Sequence, residues 1–464
     1  MSNPLVKRVA EETWGRADSQ CVFRVGSGSS PPLAIRNARG GIFFPIRSCF
    51  RPFFCLWLSI LCRISCGCLA ATPSDWPQFL GPTRNGVYPG DGLADSWPAD
   101  GPRSIWQRPI GQGFSGPIVV GKEVLLFHRI DNEEVVESLN AATGESLWKN
   151  GIPTGYRDDF GFDEGPRGTP AVSSGRVFAF GAEGMLRCVE AATGRKLWSV
   201  DARKEFAADK GFFGLACSPL VEQGKVFVAI GGNAGVAAFD ELTGKLAWKA
   251  SDHEAGYSSP VLARVGGSQL VIFFTRNGLL GLTPGDGKIQ FEWPWRARLH
   301  ASINASAPLV VNGEIFVSES YGTGCLLLRQ SGGKWNKRWA SDDVMSNHYA
   351  TCVVKDGFLY GYHGRQDTGR PAFRCVEWAT GQVRWSQERF GAGTVTLAGN
   401  RLYLLHEDGR LLMANASPDR FKILQEAQIL PSGVRAHPAI ADGRLYARSK
   451  DKLVCLDLSA TPVK

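Results

Sequence analysis

The densest set of ionisable side chains in this 464-residue sequence is Tyr156-Arg157-Asp158-Asp159-Phe160-Gly161-Phe162-Asp163-Glu164-Gly165-Pro166-Arg167. Its four carboxylates offer the oxygen donors that Ca²⁺ takes. Arg157 and Arg167 can pair with those carboxylates equally well. The segment therefore reads as a calcium loop, a solvated ion-paired loop or part of a polar recognition site. Six of the twelve cysteines, Cys188, Cys217, Cys325, Cys352, Cys375 and Cys455, are widely spaced with no CxxC among them. Single thiols in apolar runs act as small hydrophobes, and this spacing suits neither a zinc ribbon nor a dense disulfide framework. The seven histidines (His128, His253, His300, His348, His363, His406, His437) show no HxH or HxxxH spacing. Nucleophile-elbow, P-loop and His-Glu-x-x-His patterns are missing as well. No catalytic or metal-ligating set is expected from these residues, and binding is the chemistry that remains.

Charge narrows the partner. The formal charge is +8, but residues 1–70 carry nine Lys/Arg against three Asp/Glu, so the rest of the chain is close to neutral. A near-neutral body lacks the basic footprint of a nucleic-acid binder. With 55 Gly, 14 Trp and only 4 Met, the composition favours short strands and tight turns. The length exceeds what one core supports unless that core is a repeating ring or solenoid.

The elements that must position any site follow from repeats. Ala142-Thr143-Gly144-Glu145-Ser146-Leu147-Trp148 recurs at Ala192–Trp198, Leu242–Trp248 and Ala379–Trp385, with degraded copies at Asp286–Phe291 and from Gly332 to Trp339. Thr-Gly marks a turn in which Gly takes positive φ, and the aromatic opens the next strand. A second landmark, a Pro after small residues, opens a strand at Pro117, Pro170, Pro219, Pro260, Pro308 and Pro438. Cys352 and Val395 take its place in two further copies. Eight copies at steps of 41–53 residues match the size of a four-stranded propeller blade. The expected fold is an all-β, eight-bladed propeller over residues 72–460. The segment around Ile105-Trp106 should supply the strand that the last repeat lacks. Trp106, Trp148, Trp198, Trp248, Trp339 and Trp385 are expected to be structural elements of the repeat, and Trp148, Trp198, Trp248 and Trp385 should be largely buried between adjacent blades, near the Thr-Gly turn of their own repeat.

Residues 1–71 read differently. Arg47 and Arg51 precede the apolar run Phe53–Cys62, and small residues follow at Gly67, Ala70 and Ala71. That order is the layout of a secretory signal, and the run is too short to span a bilayer. The expectation is an unstructured extension and signal, removed near Ala71 or Thr72, with lipid modification of Cys68 as the alternative.

The Ala-Thr-Gly-x-x-x-Trp turn resembles the tryptophan-docking repeat of PQQ-type β-propellers, a family that includes quinoprotein alcohol dehydrogenases and the BamB lipoprotein. The opening Asp75-Trp76-Pro77-Gln78-Phe79-Leu80-Gly81-Pro82-Thr83-Arg84-Asn85-Gly86-Val87 resembles the start of secreted PQQ-like repeat proteins of planctomycete-like bacteria. The resemblance implies export to the periplasm, the outer-membrane periphery or beyond. It also implies either a non-enzymatic scaffold for an envelope protein or cell-surface polymer, or a PQQ- and calcium-dependent oxidoreductase. The dehydrogenases hold PQQ against adjacent cysteines, and this chain has no vicinal cysteine pair, so no cofactor is expected. A polymer-binding module is the third reading, on the aromatics Trp293, Trp295, Tyr321 and Trp335. A monomer without a membrane span is expected. The strand-opening residues Ser115, Gly168, Cys217, Ser258, Ser306, Ala350, Gly393 and Ala436 should face the ring axis. Arg167, His348, Tyr349, Arg435 and His437 should form a polar rim at one mouth, with Asp163 and Glu164 close by.

Overall fold

Short apolar runs between Gly-containing turns, with the middle strands buried on both faces, build eight antiparallel four-stranded sheets, one repeat to each. The computed structural model describes residues 75–299, 302–369 and 371–460. The expected N-terminal extension, its cleavage site, Cys68 and His300 lie outside the described residues. Blade 1 comprises Ile118–Val120, Glu123–Ile130, Glu133–Asn140 and Ser146–Pro153. Blades 2 to 7 cover 171–201, 220–250, 261–294, 309–341, 353–387 and 393–428. Blade 8 has three strands of its own, Ala439–Ala441, Arg444–Arg448 and Lys452–Asp457. Its fourth, Ser104–Pro109, comes from the other end of the domain and pairs antiparallel with Lys452–Asp457, setting Trp106 opposite Cys455. The innermost strands of blades 1 and 8 touch as well. The chain is therefore an eight-bladed propeller closed by its own N-terminal strand.

The repeat tryptophans hold neighbouring blades together. The Trp106 indole N–H donates to the Ala141 carbonyl, Trp148 to Ala191, Trp198 to Glu241, Trp248 to Pro284, Trp339 to Trp378 and Trp385 to Ser417, all at 2.9–3.0 Å. Each acceptor belongs to the following blade. The expectation that each ring sits by the turn of its own repeat is corrected accordingly. In a hairpin, the residue after the turn projects off the sheet face onto the next blade. Gly144, Gly194 and Gly244 hold φ of 75°, 71° and 69°. A Cβ on them would meet Trp106, Trp148 and Trp198 at 2.8, 2.3 and 2.6 Å. The turn glycine thus serves a left-handed conformation and the flat approach of an indole at once. Trp106, Trp198 and Trp248 are buried, whereas Trp148, Trp339 and Trp385 are half-buried.

Residues 75–94 belong to no repeat and run across the innermost strands. Trp76 exchanges backbone hydrogen bonds with Val119 of blade 1, and the Pro77 carbonyl accepts from Val172 of blade 2. The buried Arg84 guanidinium donates to the carbonyls of Ser218 and Pro219, at the entrance to blade 3, at 3.0 Å each. Val87–Tyr88 adds a parallel strand to Gly393–Ala398 of blade 7, and the Ala94 amide donates to Leu458 at the end of blade 8.

Candidate functional site

A pocket of about 140 Å³ opens where the innermost strands begin. Its geometry follows from the register of the strand-opening landmark. Residues three before it (Phe114, Arg167, Ala216, Tyr257, Ala305, Tyr349 and Arg435) line the pocket, and so do Thr169, Ser218, Ser259 and His437, one before it. Phe79, Phe213 and Ile303 complete the wall. None of the eight residues two before the landmark, from Ser115 to Ala436, lines it. Alternate residues of an extended chain point in opposite directions, so these eight turn into the blades. Ser306 donates to the Ser318 carbonyl, and a Cβ on Gly168 would meet the Cys217 carbonyl at 2.9 Å. Their expected place on the axis is thereby corrected.

The residues one before the landmark make a belt. The Gly116 amide donates to Thr169 Oγ1, Thr169 to Ser218 Oγ, Ser218 to Ser259 Oγ, and Ala307 to Thr351 Oγ1, all at 2.9–3.0 Å. Small residues suit that crowded circle, and His437 is its one large member. His437 is buried, meets the Phe79 ring edge-to-face at 5.4 Å, and neither ring nitrogen has a hydrogen-bond partner among the described residues. Burial alone pushes its pKa down to about 4, so the imidazole is neutral near pH 7.

Two guanidiniums stand over the Phe114 ring, Arg167 at 5.5 Å and Arg435 at 5.4 Å from its centroid. Arg167 donates to Asp158 Oδ2 at 3.2 Å and to the Phe213 carbonyl at 3.1 Å. Arg435 donates through Nε to Glu407 Oε1 at 3.0 Å, and Tyr349 Oη donates to that same oxygen at 2.9 Å. Burial and the neighbouring Glu407 carboxylate raise the Tyr349 pKa well above a tyrosine's usual value.

Of the rim residues named from sequence, the fold brings Arg167, Tyr349, Arg435 and His437 together and leaves three elsewhere. His348 sits against Tyr321 Oη (3.0 Å) and accepts from the Gln366 amide, away from the pocket. Asp163 and Glu164 line a separate, wider groove of about 750 Å³, with Arg108, Arg129 and Lys450 among its walls. The acidic segment is an ion-paired loop. Asp158 accepts from the Phe160, Phe162 and Asp163 amides and from Arg167, while Asp163 accepts from the Gly165 amide. Asp159 faces Lys210, and Glu164 faces Arg157. Folded so, the loop holds Phe160 and Phe162 outward, 53% and 42% exposed, against Phe213 of the pocket wall. The aromatics considered for polymer binding are half-buried instead. Trp335 lies 4.2 Å from Phe291, Trp295 donates to the Gly324 carbonyl, and Arg365 covers Tyr321.

Sequence reading missed Phe79, Phe114, Phe213 and Tyr257. The signal for Phe114 and Tyr257 was present, because the third residue before the landmark lines the pocket in seven of the eight repeats. For Phe79 and Phe213, outside the repeat register, there was none.

The axial pocket does not fit PQQ. Its lining contains no indole and no sulfur, all six described cysteines are single buried thiols, and its volume is below the roughly 300 Å³ at which sites for larger ligands begin. No helix among the described residues is long and apolar enough to cross a membrane.

Comparison with known proteins places this geometry in a family. Residues 132–387 and 372–461 match the family model described as outer membrane protein assembly factor BamB. BamB of Yersinia pestis is 22% identical over 284 residues, 59% of this chain and 68% of its own. The quinohemoprotein alcohol dehydrogenase ADH-IIG of Pseudomonas putida is 36% identical, but over 123 residues, 25% of this chain and 16% of that enzyme. Among solved structures, BamB from Moraxella catarrhalis superposes with a TM-score of 0.58 at 15% identity, covering 78% of this chain and 99% of its own. The quinohemoprotein alcohol dehydrogenase of Comamonas testosteroni gives 0.62 at 17% identity, covering 85% and 82%. Structural likeness at such identities establishes the shared propeller and no activity. The family model spans more than half of the sequence, and the chain belongs to the outer membrane protein assembly factor BamB family.

Proposed function

We propose that this protein is a non-catalytic, exported envelope scaffold that seats a loop of a partner protein in the axial mouth. The observation that carries the reading is the pairing of an exposed aromatic lip, Phe160 and Phe162, with a small polar pocket beside it. Aromatic and arginine side chains around a small recess are the usual composition of a protein-binding hot spot. Membership of the BamB family supports an envelope setting. The quinoprotein reading loses support because the pocket is small and has neither a ring nor a sulfur pair to sandwich a quinone.

A photoreactive benzophenone residue in place of Phe160, in cells of the native host, tests the proposal. A discrete adduct that disappears in an Arg435→Ala background is expected. The same probe at Leu242, 61% exposed on a distant Thr-Gly turn, should give none. Equal labelling from both positions would refute a specific mouth. Alcohol- or sugar-dependent dye reduction with added PQQ and Ca²⁺ would restore the enzyme reading.

A further inference from the structure

Each polar side chain that lines the axial pocket carries a donor, and none is acceptor-only. Thr169, Ser218 and Ser259 each accept a belt amide at the hydroxyl oxygen, which leaves the O–H to donate. Tyr257 Oη accepts from the Phe212 and Phe213 amides at 2.8 and 3.2 Å, so its O–H is likewise left to donate. Arg435 spends Nε on Glu407, and its two Nη groups have no partner among the described residues. Arg167 adds a second guanidinium, while no carboxylate lines the pocket. The neutral, unpartnered His437 carries one further N–H. Asp158 and Glu407 each hold one guanidinium but neither lines the pocket, so the lining itself, with two guanidiniums and several free O–H groups, is short of acceptors. An ionised carboxylate is the acceptor-only group among protein side chains, and guanidinium matches it with a two-pronged fork. Space sets the rest. About 140 Å³, walled by Phe79, Ala216, Ile303 and Ala305, holds a carboxylate and a few attached carbons.

We propose that the axial pocket is a receptor for a single carboxylate on a short aliphatic stem. This inference rests on the axial mouth being the binding face, and goes beyond that reading by naming the chemistry of the group that enters. An acidic side chain on a partner loop and a free short-chain monocarboxylate present the same chemistry. The floor supports entry from one side only. Phe79 comes from the non-repeated segment that crosses the inner strands, so the stem points out through the mouth beside Phe160 and Phe162.

The test uses the full chain with ¹⁵N-labelled histidine, following the His437 ring nitrogens, assigned by their loss in His437→Gln. Four probes are titrated: propionate, its neutral counterpart propionamide, N-acetyl-glutamate amide and N-acetyl-glutamine amide. Saturable shifts are expected with the two carboxylates, and at least about tenfold weaker binding with the two amides. Binding of propionate without the blocked glutamate would assign a free acid, and the reverse an acidic side chain. Arg435→Lys keeps the charge and loses the fork, and should weaken binding about tenfold. Tyr257→Phe removes one O–H donor and should weaken it independently. Thermal melts of both variants confirm folding. Equal affinity for propionate and propionamide, or no saturable shift from any probe, overturns the proposal. If Phe160 cross-linking persists in that case, the partner-binding reading stands and only the carboxylate is lost.

Discussion

Substituting Trp198 tests how the ring is held together, because its indole spans blades 2 and 3. The side chain is 8% exposed, lies 5.9 Å from the Phe178 ring, and donates to the Glu241 carbonyl at 3.0 Å. Trp198→Ala should cost roughly 3–5 kcal/mol through the cavity it leaves. A second substitution makes the argument specific. Gly244 sits at φ 69°, and a Cβ there would strike Trp198 Cε3 at 2.6 Å. In the intact ring, Gly244→Ala should cost about 1–2 kcal/mol for the left-handed backbone, plus about 1–3 kcal/mol for overpacking against the indole. In a Trp198→Ala background only the backbone share remains, so the cycle should show about 1–3 kcal/mol of favourable coupling. Gly194→Ala, in the turn of Trp198's own repeat, packs on Trp148 and should add to Trp198→Ala without coupling. Urea unfolding followed by tryptophan fluorescence, with a second probe to check that the transition is two-state, measures the wild type and all five variants. Additivity for the Trp198–Gly244 pair, or coupling to Gly194, would refute docking on the following blade.

Acid should weaken the fold. Burial pushes His406 and His437 down to about 4, and their unfolded value lies near 6.5. Their stabilisation is complete above pH about 6.5 and falls as pH drops towards 4, by on the order of 3 kcal/mol each. Burial raises Glu319 to about 8 and opposes this trend, so urea midpoints at pH 7.5 and 4.5 are compared between the wild type and His437→Gln, and an equal drop in both contradicts the burial argument. Replacing Phe160 and Phe162 by Ser should abolish partner capture at a stability cost of about 1 kcal/mol, because both rings are about half exposed. Replacing Arg84 by Met should cost about 3 kcal/mol, since it strips charge-assisted donors from two buried carbonyls. A thermal melt that does not move would show the segment crossing the inner strands to be dispensable. Dye-linked dehydrogenase activity should stay at background with PQQ and Ca²⁺ supplied, and turnover above background would contradict the fit of the pocket.

Repetition is what made the fold legible. Trp148, Trp198, Trp248 and Trp385 recur behind the same turn, and the strand-opening landmark returns once per blade, so eight four-stranded sheets follow from spacing alone. Direction was harder to read. The turn that precedes each Trp is its neighbour in sequence, but the hairpin geometry aims the ring at the next blade, where Ala191, Glu241 or Pro284 accepts its N–H. The axis was misjudged by one residue, which in an extended chain exchanges the two faces. His437 was legible because a large side chain interrupts a run of Gly, Thr, Ser and Ala at equivalent positions. His348 was not excluded because nothing local shows that Tyr321 and Gln366 would claim it.

The non-repeated segment explains why the mouth is one-sided. Eight similar blades meeting at their inner strands leave a hole on the axis, and the repeat does little to fill it, since seven of the eight blades present a small belt residue. A segment free of the repeat can. Trp76 enters beside Val119, Arg84 reaches the carbonyls of Ser218 and Pro219, and Val87–Tyr88 leaves as an added strand on blade 7. Between them Phe79 meets His437, which joins the pocket floor to the single large residue of the belt. The same stretch of chain then continues to Ser104–Pro109 and completes blade 8. Closing the ring and closing its channel are therefore consecutive acts of one segment, and a break between Pro89 and Arg103 would separate them.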